Sequence, residues 1–417
     1  MQLFKRLTGK SGPIILAGAL IATGFAHAAD KPPIRIGVLA ELTGPFTTTG
    51  TYLQRTVEAY AKAVNAKGGI EGHPVELVVI DNQSKPELAV AGVRKLASDE
   101  KVHVVICCSA SPLSIAVKPV SKQMRVPVIA QGQAADVIQP PDQAQWIFRP
   151  NVSQEAALRV QLDAVKKAGY KNIAYLGVNN AFGTFPGKLV ETLAPQYGVK
   201  VSGTQYFEVT STDVKAQLSQ LIATRPDAIF VWAVGPAATL VSRNAQELAM
   251  RIPIYHSGGA ANGDFIRDGG AAVEGNFVSA TVAMAPIQTM SPSSPSFKVA
   301  KEYNDAWLSS FKTTGDEFGR TMWDAMNLIS LAVKAKQPNF EKLEDARSAI
   351  RDGLEGVSNY EGLAGTFNMT AQDHSGLARS RRRRHAPGQK RQVRARQLGA
   401  QGALMSAPVA SDCATAR

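Results

Sequence analysis

The stretch from Lys101 to Val137, KVHVVICCSASPLSIAVKPVSKQMRVPVIAQGQAADV, constrains the fold more than any other. Val102 to Ile106 is rich in β-branched residues and flanked by polar ones, the pattern of a fully buried strand. Ser109-Ala110-Ser111-Pro112 then predicts a helix start, with Ser111 as N-cap and Pro112 at the first helical position. Val126 to Ala130 repeats the buried-strand pattern. Two parallel strands joined by a helix follow, each ending in a loop of small residues. Ligands of open α/β sheets sit outside the carboxyl ends of such strands. A helix start with hydroxyls beside it favours an anion such as a carboxylate. An ordinary βαβ unit without a ligand fits this stretch equally well, so the remainder of the chain has to decide.

The same unit recurs on both sides. Ile34 to Ala40 reads as a buried strand, and a helix follows from about Gly50 to Ala66 with Leu53, Val57, Ala61 and Val64 on one face. Gly68 to Gly72 predicts a helix stop and a hairpin-like turn. Val75 to Asp81 is a second strand, and Ser84 with Glu87 has capping-box spacing before a helix over Pro86 to Ser98. This βαβαβαβ order implies a parallel sheet wrapped by helices. After Trp146 to Pro150, which reads as a crossing segment, the pattern restarts. Strands are expected at Ile173 to Gly177, Val199 to Phe207, Asp227 to Trp232 and Ile252 to Tyr255, with helices between them. Phe277 to Ala283 leads back out, and three helices follow between Ser296 and Leu354. The predicted fold class is α/β, with two doubly wound parallel-sheet lobes joined by a hinge and an interlobe cleft. Such a cleft is a usual ligand site.

The ends differ from this body. Lys5, Arg6 and Lys10 precede a short apolar run, Gly12 to Ala22, and Ala26-His27-Ala28 fits a small-x-small cleavage site. Residues 1–28 therefore read as a signal peptide, cleaved near Ala28, on an exported chain. Periodic apolar spacing stops near Gly376, and SRRRRHAPGQKRQVRARQLGAQ follows. Residues 376–417 read as an atypical, disordered basic tail, the product of a translated frameshift that replaced the natural C-terminus. The net charge of +12 resides at the ends, with +3 before Ala29 and +9 from Gly376 onward, so residues 29–375 are electrically balanced. A balanced body has no general attraction for nucleic acid.

Catalytic and cofactor signatures are missing. Gly183 to Leu189 resembles a phosphate loop but is one residue short and lacks the hydroxyl residue after Lys188. No GxGxxG follows a strand, and no GxSxG occurs. Asp373-His374-Ser375 contains triad residue types, but consecutive residues cannot adopt triad geometry. The six histidines show no metal-ligand spacing. Adjacent cysteines rarely pair, so Cys107 and Cys108 are expected as free, buried residues at a strand end, and Cys413 lies in the basic tail. No cofactor, metal or disulfide is expected. The chain reads as a binder, not an enzyme.

At this point the residues resemble a family. IRIGVLAELTGPFTTTG, AVNAKGGIEGHPVELVVIDNQSKPELAV, VICCSASPLSIAV, AFGTFPG, DAIFVWAVGPAA and YEGLAGTFNMTAQDHSG are similar to segments of the Leu/Ile/Val-binding family of ABC-transporter solute-binding proteins. The resemblance runs from about Ile34 to Gly376. It implies a type I periplasmic-binding fold, with 29–149 plus 284–355 as the first lobe and 150–283 plus 356–375 as the second. It further implies a monomer in the periplasm that closes around a small amino acid or organic acid and docks on a membrane permease. Ligand contacts to both lobes would stabilise the closed state. A ligand-sensing module of the same fold is the alternative.

Carried onto this chain, the resemblance implies ligand loops at Ser109, Ala110 and Ser111 and at Gln131, Gln133 and Ala134. It places Phe46 and Thr49 near the cleft mouth, with Phe182, Trp232 and Gly258 on the opposite wall. Amino-acid binders of the family hold the solute's ammonium with an acid in the loop matching His256 to Asn262. No acid occurs there, and Asp264 lies just past it. A buried ammonium without a partner is costly. The residues therefore favour a carboxylate lacking an amino group, an aliphatic or aromatic acid, held by its carboxylate on the Ser109–Ser111 loop.

Overall fold

A computed structural model describes residues 31–280, 287, 290–313, 315 and 317–377, and the backbone of 403–406. The expected signal peptide, Cys413 and most of the basic tail lie outside the described residues.

The first sheet is built from β1 (Ile34–Ala40), β2 (Val75–Asp81), β3 (Val104–Cys107), β4 (Val128–Ala130) and β5 (Ile147–Phe148). Helices α1 (Thr47–Asn65), α2 (Pro86–Ser98) and α3 (Ser111–Gln123) connect the first four strands. The strand order is β2-β1-β3-β4-β5, every neighbour parallel. Register aligns the carboxyl ends: Leu39 lies beside Cys107, and Cys107 beside Ala130. Both faces are buried, as near-continuous apolar strands require. Ile36, Val38, Ile106 and Ile129 pack on the α1 side, and Leu39, Val105, Cys107 and Val128 on the side of α2 and α3.

The second sheet repeats the plan. It uses α4 (Gln154–Lys167), β6 (Asn172–Val178), α5 (Ala181–Leu193), β7 (Lys200–Phe207), α6 (Lys215–Ala223), β8 (Ala228–Trp232) and α7 (Gly235–Glu247). It continues with β9 (Ile254–His256), α8 (Gly263–Gly269) and β10 (Phe277–Ala280). Its parallel order β7-β6-β8-β9-β10 reproduces the first sheet's order. In both sheets the order reverses beside the first strand, which opens a crevice at the carboxyl ends of β1 and β3, and of β6 and β8.

The later helices α9 (Phe297–Phe311), α10 (Glu317–Lys336) and α11 (Leu343–Glu355) pack on the first sheet, with Tyr303, Trp307, Met326 and Ile329 in its core. A hairpin of β11 (Tyr360–Glu361) and β12 (Thr366–Phe367) follows. Here one expectation is corrected. Residues 356–375 were assigned to the second lobe, but Val357, Leu363, Phe367 and Met369 belong to the first-lobe core. The buried Asp324 carboxylate fixes them, accepting the N–H of Leu363 and of Ala364 at 2.8 Å each. Within the basic tail, β13 (Ala403–Ser406) pairs antiparallel with β10.

Three local expectations also change. Ser84 does not cap α2, whose N-cap is Lys85. The Ser84 hydroxyl donates to Thr43 O and accepts the Phe46 N–H, tying down the loop after β1. Ser111 is the first residue of α3 and not its cap, because Ala110 is the extended residue and Ser111 Oγ is engaged by the Ala134 N–H. Cys107 and Cys108 are joined by a disulfide. The chain leaves β3 at Cys108 with φ +57°, so the two side chains do not alternate across a strand.

Candidate functional site

The two crevices face one cavity. Its volume is about 970 Å3 when the space open to solvent at its mouth is counted. The first-lobe wall is Phe46, Thr49, Ser109, Ala110, Ser111, Pro112, Gln131 and Gln133, joined by Phe318 and Thr321 from the first turns of α10. The crossing segment adds Asn151 and Val152. The second-lobe wall is Ala156, Ala157, Val160, Val178, Asn180, Phe182, Val234, Gly258, Gly259, Ser279 and Ala280.

Nine of the expected site residues line this cavity: Phe46, Thr49, Ser109, Ala110, Ser111, Gln131, Gln133, Phe182 and Gly258. Two do not. Trp232 is fully buried at the end of β8, stacked beneath Tyr175 at 6.3 Å, and Val234 reaches the cavity in its place. Ala134 lies behind the wall, donating its N–H to Ser111 Oγ at 3.1 Å.

Close backbone packing sets the walls. α1 starts against the end of β1 because Gly50 has no side chain: a Cβ there would stand 2.2 Å from Glu41 O. α5 is pressed on β6 in the same way, where a Cβ at Gly183 would stand 2.1 Å from Val178 O. Asn180 caps α5 by accepting the Phe182 N–H, which brings Asn180 and Phe182 to the cavity surface. The crossing segment fixes the glutamine loop. Asn151 Nδ2 donates to Gln131 O at 2.8 Å, and the Arg149 guanidinium donates to Gln133 O. Burial pulls the Arg149 pKa down to about 10, against the opposing pull of the Asp373 carboxylate. Its own N–H donates to His374 O, and the His374 ring stacks on Phe148.

No aspartate, glutamate, lysine, arginine or histidine lines the cavity among the described residues. On the second wall, His256 is buried behind Gly258, its Nε2 in hydrogen-bond contact with Ser242 Oγ at 3.0 Å. Burial pushes its pKa down to about 3, so the ring is neutral. Asp264 is committed to Arg267 at 2.7 Å and supplies no charge to the cavity.

One residue missed by sequence reasoning changes the first wall. Glu41, the residue after β1, is 0% exposed. Its Oε2 accepts the Ser109 N–H at 3.0 Å and the Ser109 hydroxyl at 2.9 Å, and its Oε1 accepts the Ala110 N–H at 3.3 Å. Burial raises its pKa against the pull of these donors. The chain's own carboxylate thus takes the donors expected to hold the solute's carboxylate. The available signal was an acid directly after a buried strand run, a position where a structural acid needs partners. Phe318 and Thr321 had no such signal, since only tertiary packing brings them to the wall.

Among the described residues no helix is long and apolar enough to cross a membrane, and no group of three or more metal-ligating side chains forms. The family model described as periplasmic binding protein matches residues 33–381. The Leu/Ile/Val-binding protein BraC3 of Rhizobium johnstonii is 23% identical over 353 residues, covering 84% of this chain and 90% of that protein. An extracellular ligand-binding receptor from Rhodopseudomonas palustris HaA2 superposes with a TM-score of 0.77 at 28% identity, covering 83% of this chain and 94% of the other. The branched-chain amino acid transporter substrate-binding protein LivJ of Streptococcus pneumoniae shares the fold, with a TM-score of 0.70 at 21% identity, covering 81% and 91%. With two parallel sheets of one strand order facing a shared cavity, and a family match over most of its length, this chain belongs to the periplasmic binding protein family.

Proposed function

We propose that this protein is exported to the periplasm, captures a small organic solute in the interlobe cavity, and delivers it to the permease of an ABC importer without transforming it. The observation that carries the reading is the uncharged cavity at the carboxyl ends of both sheets, with helix starts from both lobes around it. Apolar groups from Phe46, Val160, Val178, Phe182 and Val234 suit an aliphatic or aromatic body. A branched-chain solute is in keeping with the isoleucine bound by the Streptococcus relative. A solute carboxylate, where there is one, is directed to the second-lobe wall, where the start of α7 carries no side-chain cap. The Ser109 and Ala110 amides are already engaged by Glu41.

The test is a thermal-shift panel of leucine, isoleucine and valine beside benzoate and short-chain acids. A bound solute at about 100 times its Kd adds roughly 2.7 kcal/mol of stability. Stabilisation by one chemical series, with the solute recovered unchanged, is the expected result; turnover of a panel member would contradict it. Export is checked separately, by N-terminal sequencing of the periplasmic protein, which should begin at Ala29.

A further inference from the structure

The proton inventory of the first-lobe wall points to a subsite of opposite polarity to the one its hydroxyls suggest. Ser109 donates its hydroxyl proton to Glu41 Oε2, the oxygen that also receives its N–H. With Glu41 ionised or protonated on Oε1 this is the direction of the contact; a proton on Oε2 reverses it. Ser109 Oγ lies 2.6 Å from Thr49 Oγ1: Thr49 donates there when Ser109 donates to Glu41, and Ser109 donates there when a protonated Glu41 donates to it and Thr49 donates to Phe46 O. Among the described residues the other acceptor within reach of the Thr49 proton is Phe46 O at 3.0 Å. Neither hydroxyl has a proton left for a solute, and both keep lone pairs on the wall.

A separate observation agrees. Gln131 lines the same cavity and is 3% exposed. Its Nε2 donates to Phe318 O at 2.7 Å, which fixes the amide's orientation, because a carbonyl there accepts only N–H. Its Oε1 is therefore an acceptor, and it is buried with no hydrogen-bond partner. An orphaned buried acceptor is expensive and calls for a donor. Ser111 Oγ accepts the Ala134 N–H and is 1% exposed.

We infer that Glu41, Ser109, Thr49 and Gln131 form a donor-receiving subsite that takes an ammonium, N–H or hydroxyl of the solute and rejects a carboxylate. The inference rests on the solute-capture reading above and reverses the orientation expected from the family resemblance. Glu41 acts through Ser109 and is the residue that determines this specificity. The solute class it selects is a small apolar body with a hydrogen-bond donor at the end facing the first lobe.

The test uses the full chain and matched solutes on two skeletons, isobutyl and phenyl. Each skeleton is offered as amino acid, 2-hydroxy acid, amino amide and plain carboxylic acid, with Kd from titration calorimetry. The donor-bearing members should bind at least about tenfold more tightly than the plain acid of the same skeleton, the worth of one hydrogen bond to a well-placed acceptor. Ser109→Ala leaves Glu41 with its two amide donors and should remove about tenfold of that preference. Glu41→Ala frees the Ser109 and Ala110 donors and should invert the preference towards the plain acid. A plain acid that binds the wild-type chain as tightly as its donor-bearing partners overturns the subsite while leaving solute capture intact. If no member binds, the capture reading falls and the subsite with it.

Discussion

Glu41 and His256 are ionisable groups that folding removes from water, and they act on stability in opposite directions. Burial lowers the His256 pKa to about 3 and that of His103 to about 4. Both values lie below the unfolded value of about 6.5, so the unfolded chain binds the extra protons. The stability these histidines contribute is complete above about pH 6.5 and is lost as pH falls towards 4 and 3, with a slope of up to about 1.4 kcal/mol per pH unit for each. Glu41 is raised, so its contribution is present below the usual carboxylate value and lost as pH rises through its folded value. Denaturant unfolding across pH 4 to 8 should show a falling acid limb that His256→Gln makes shallower; an unchanged limb would contradict the assignment. These environments were only partly legible in the sequence. Ser109 and Ser111 could be placed near a ligand because strand ends carry ligand loops, and Phe182 because the family resemblance implied it. Glu41 was missed because its role depends on Ser109, 68 residues further on. Trp232 was misplaced because alternation along β8 does not decide whether its last side chain turns to the cavity or under the neighbouring tyrosine.

The element scale was the most readable. Buried β-branched runs separated by amphipathic segments specify parallel strands and crossover helices, and all of the strands expected in the two lobes form, with shifts at their ends. Helix starts were read less well, since Ser84 and Ser111 satisfy tertiary partners instead of their own helices. The packing of helix starts on strand ends gives a prediction. Gly50→Ala and Gly183→Ala each place a methyl against a carbonyl oxygen that belongs to backbone and cannot rotate away. Each should destabilise by about 1–3 kcal/mol, the usual range for overpacking, and should weaken solute binding, because both helices carry cavity residues. Denaturant titration checks the first effect; a midpoint within error of wild type would contradict it. Asp324→Ala leaves the Leu363 and Ala364 amides without their acceptor. Its expected loss is about 2–4 kcal/mol, as for removing a buried charged partner with two amide contacts.

At the scale of the whole molecule, the repeated strand–helix pattern and the resemblance made two lobes and a cleft legible in advance. Which segments join which lobe was less so. The hairpin after α11 was expected with the second lobe and packs in the first, because the apolar residues Leu363, Phe367 and Met369 find their partners on α10 and α11. The bond from Gln131 to Phe318 spans 187 residues and builds the wall from a helix that strand-end logic does not reach. Closure of the lobes on a solute should reduce the radius of gyration measured by small-angle scattering, and the unliganded protein should show the larger value. The central claim is that solute is held in the cavity between the sheets. Its most direct test is a calorimetric titration of the wild-type chain and of Ala157→Trp with whichever solute of the panel stabilises the protein. Ala157 lines this cavity, and an indole there would project into the space a solute needs. The expected result is one solute per chain for the wild type, and affinity at least about a hundredfold weaker for a variant that still folds, a loss of about 2.7 kcal/mol. Unchanged affinity in the folded variant would place the solute elsewhere and contradict the account.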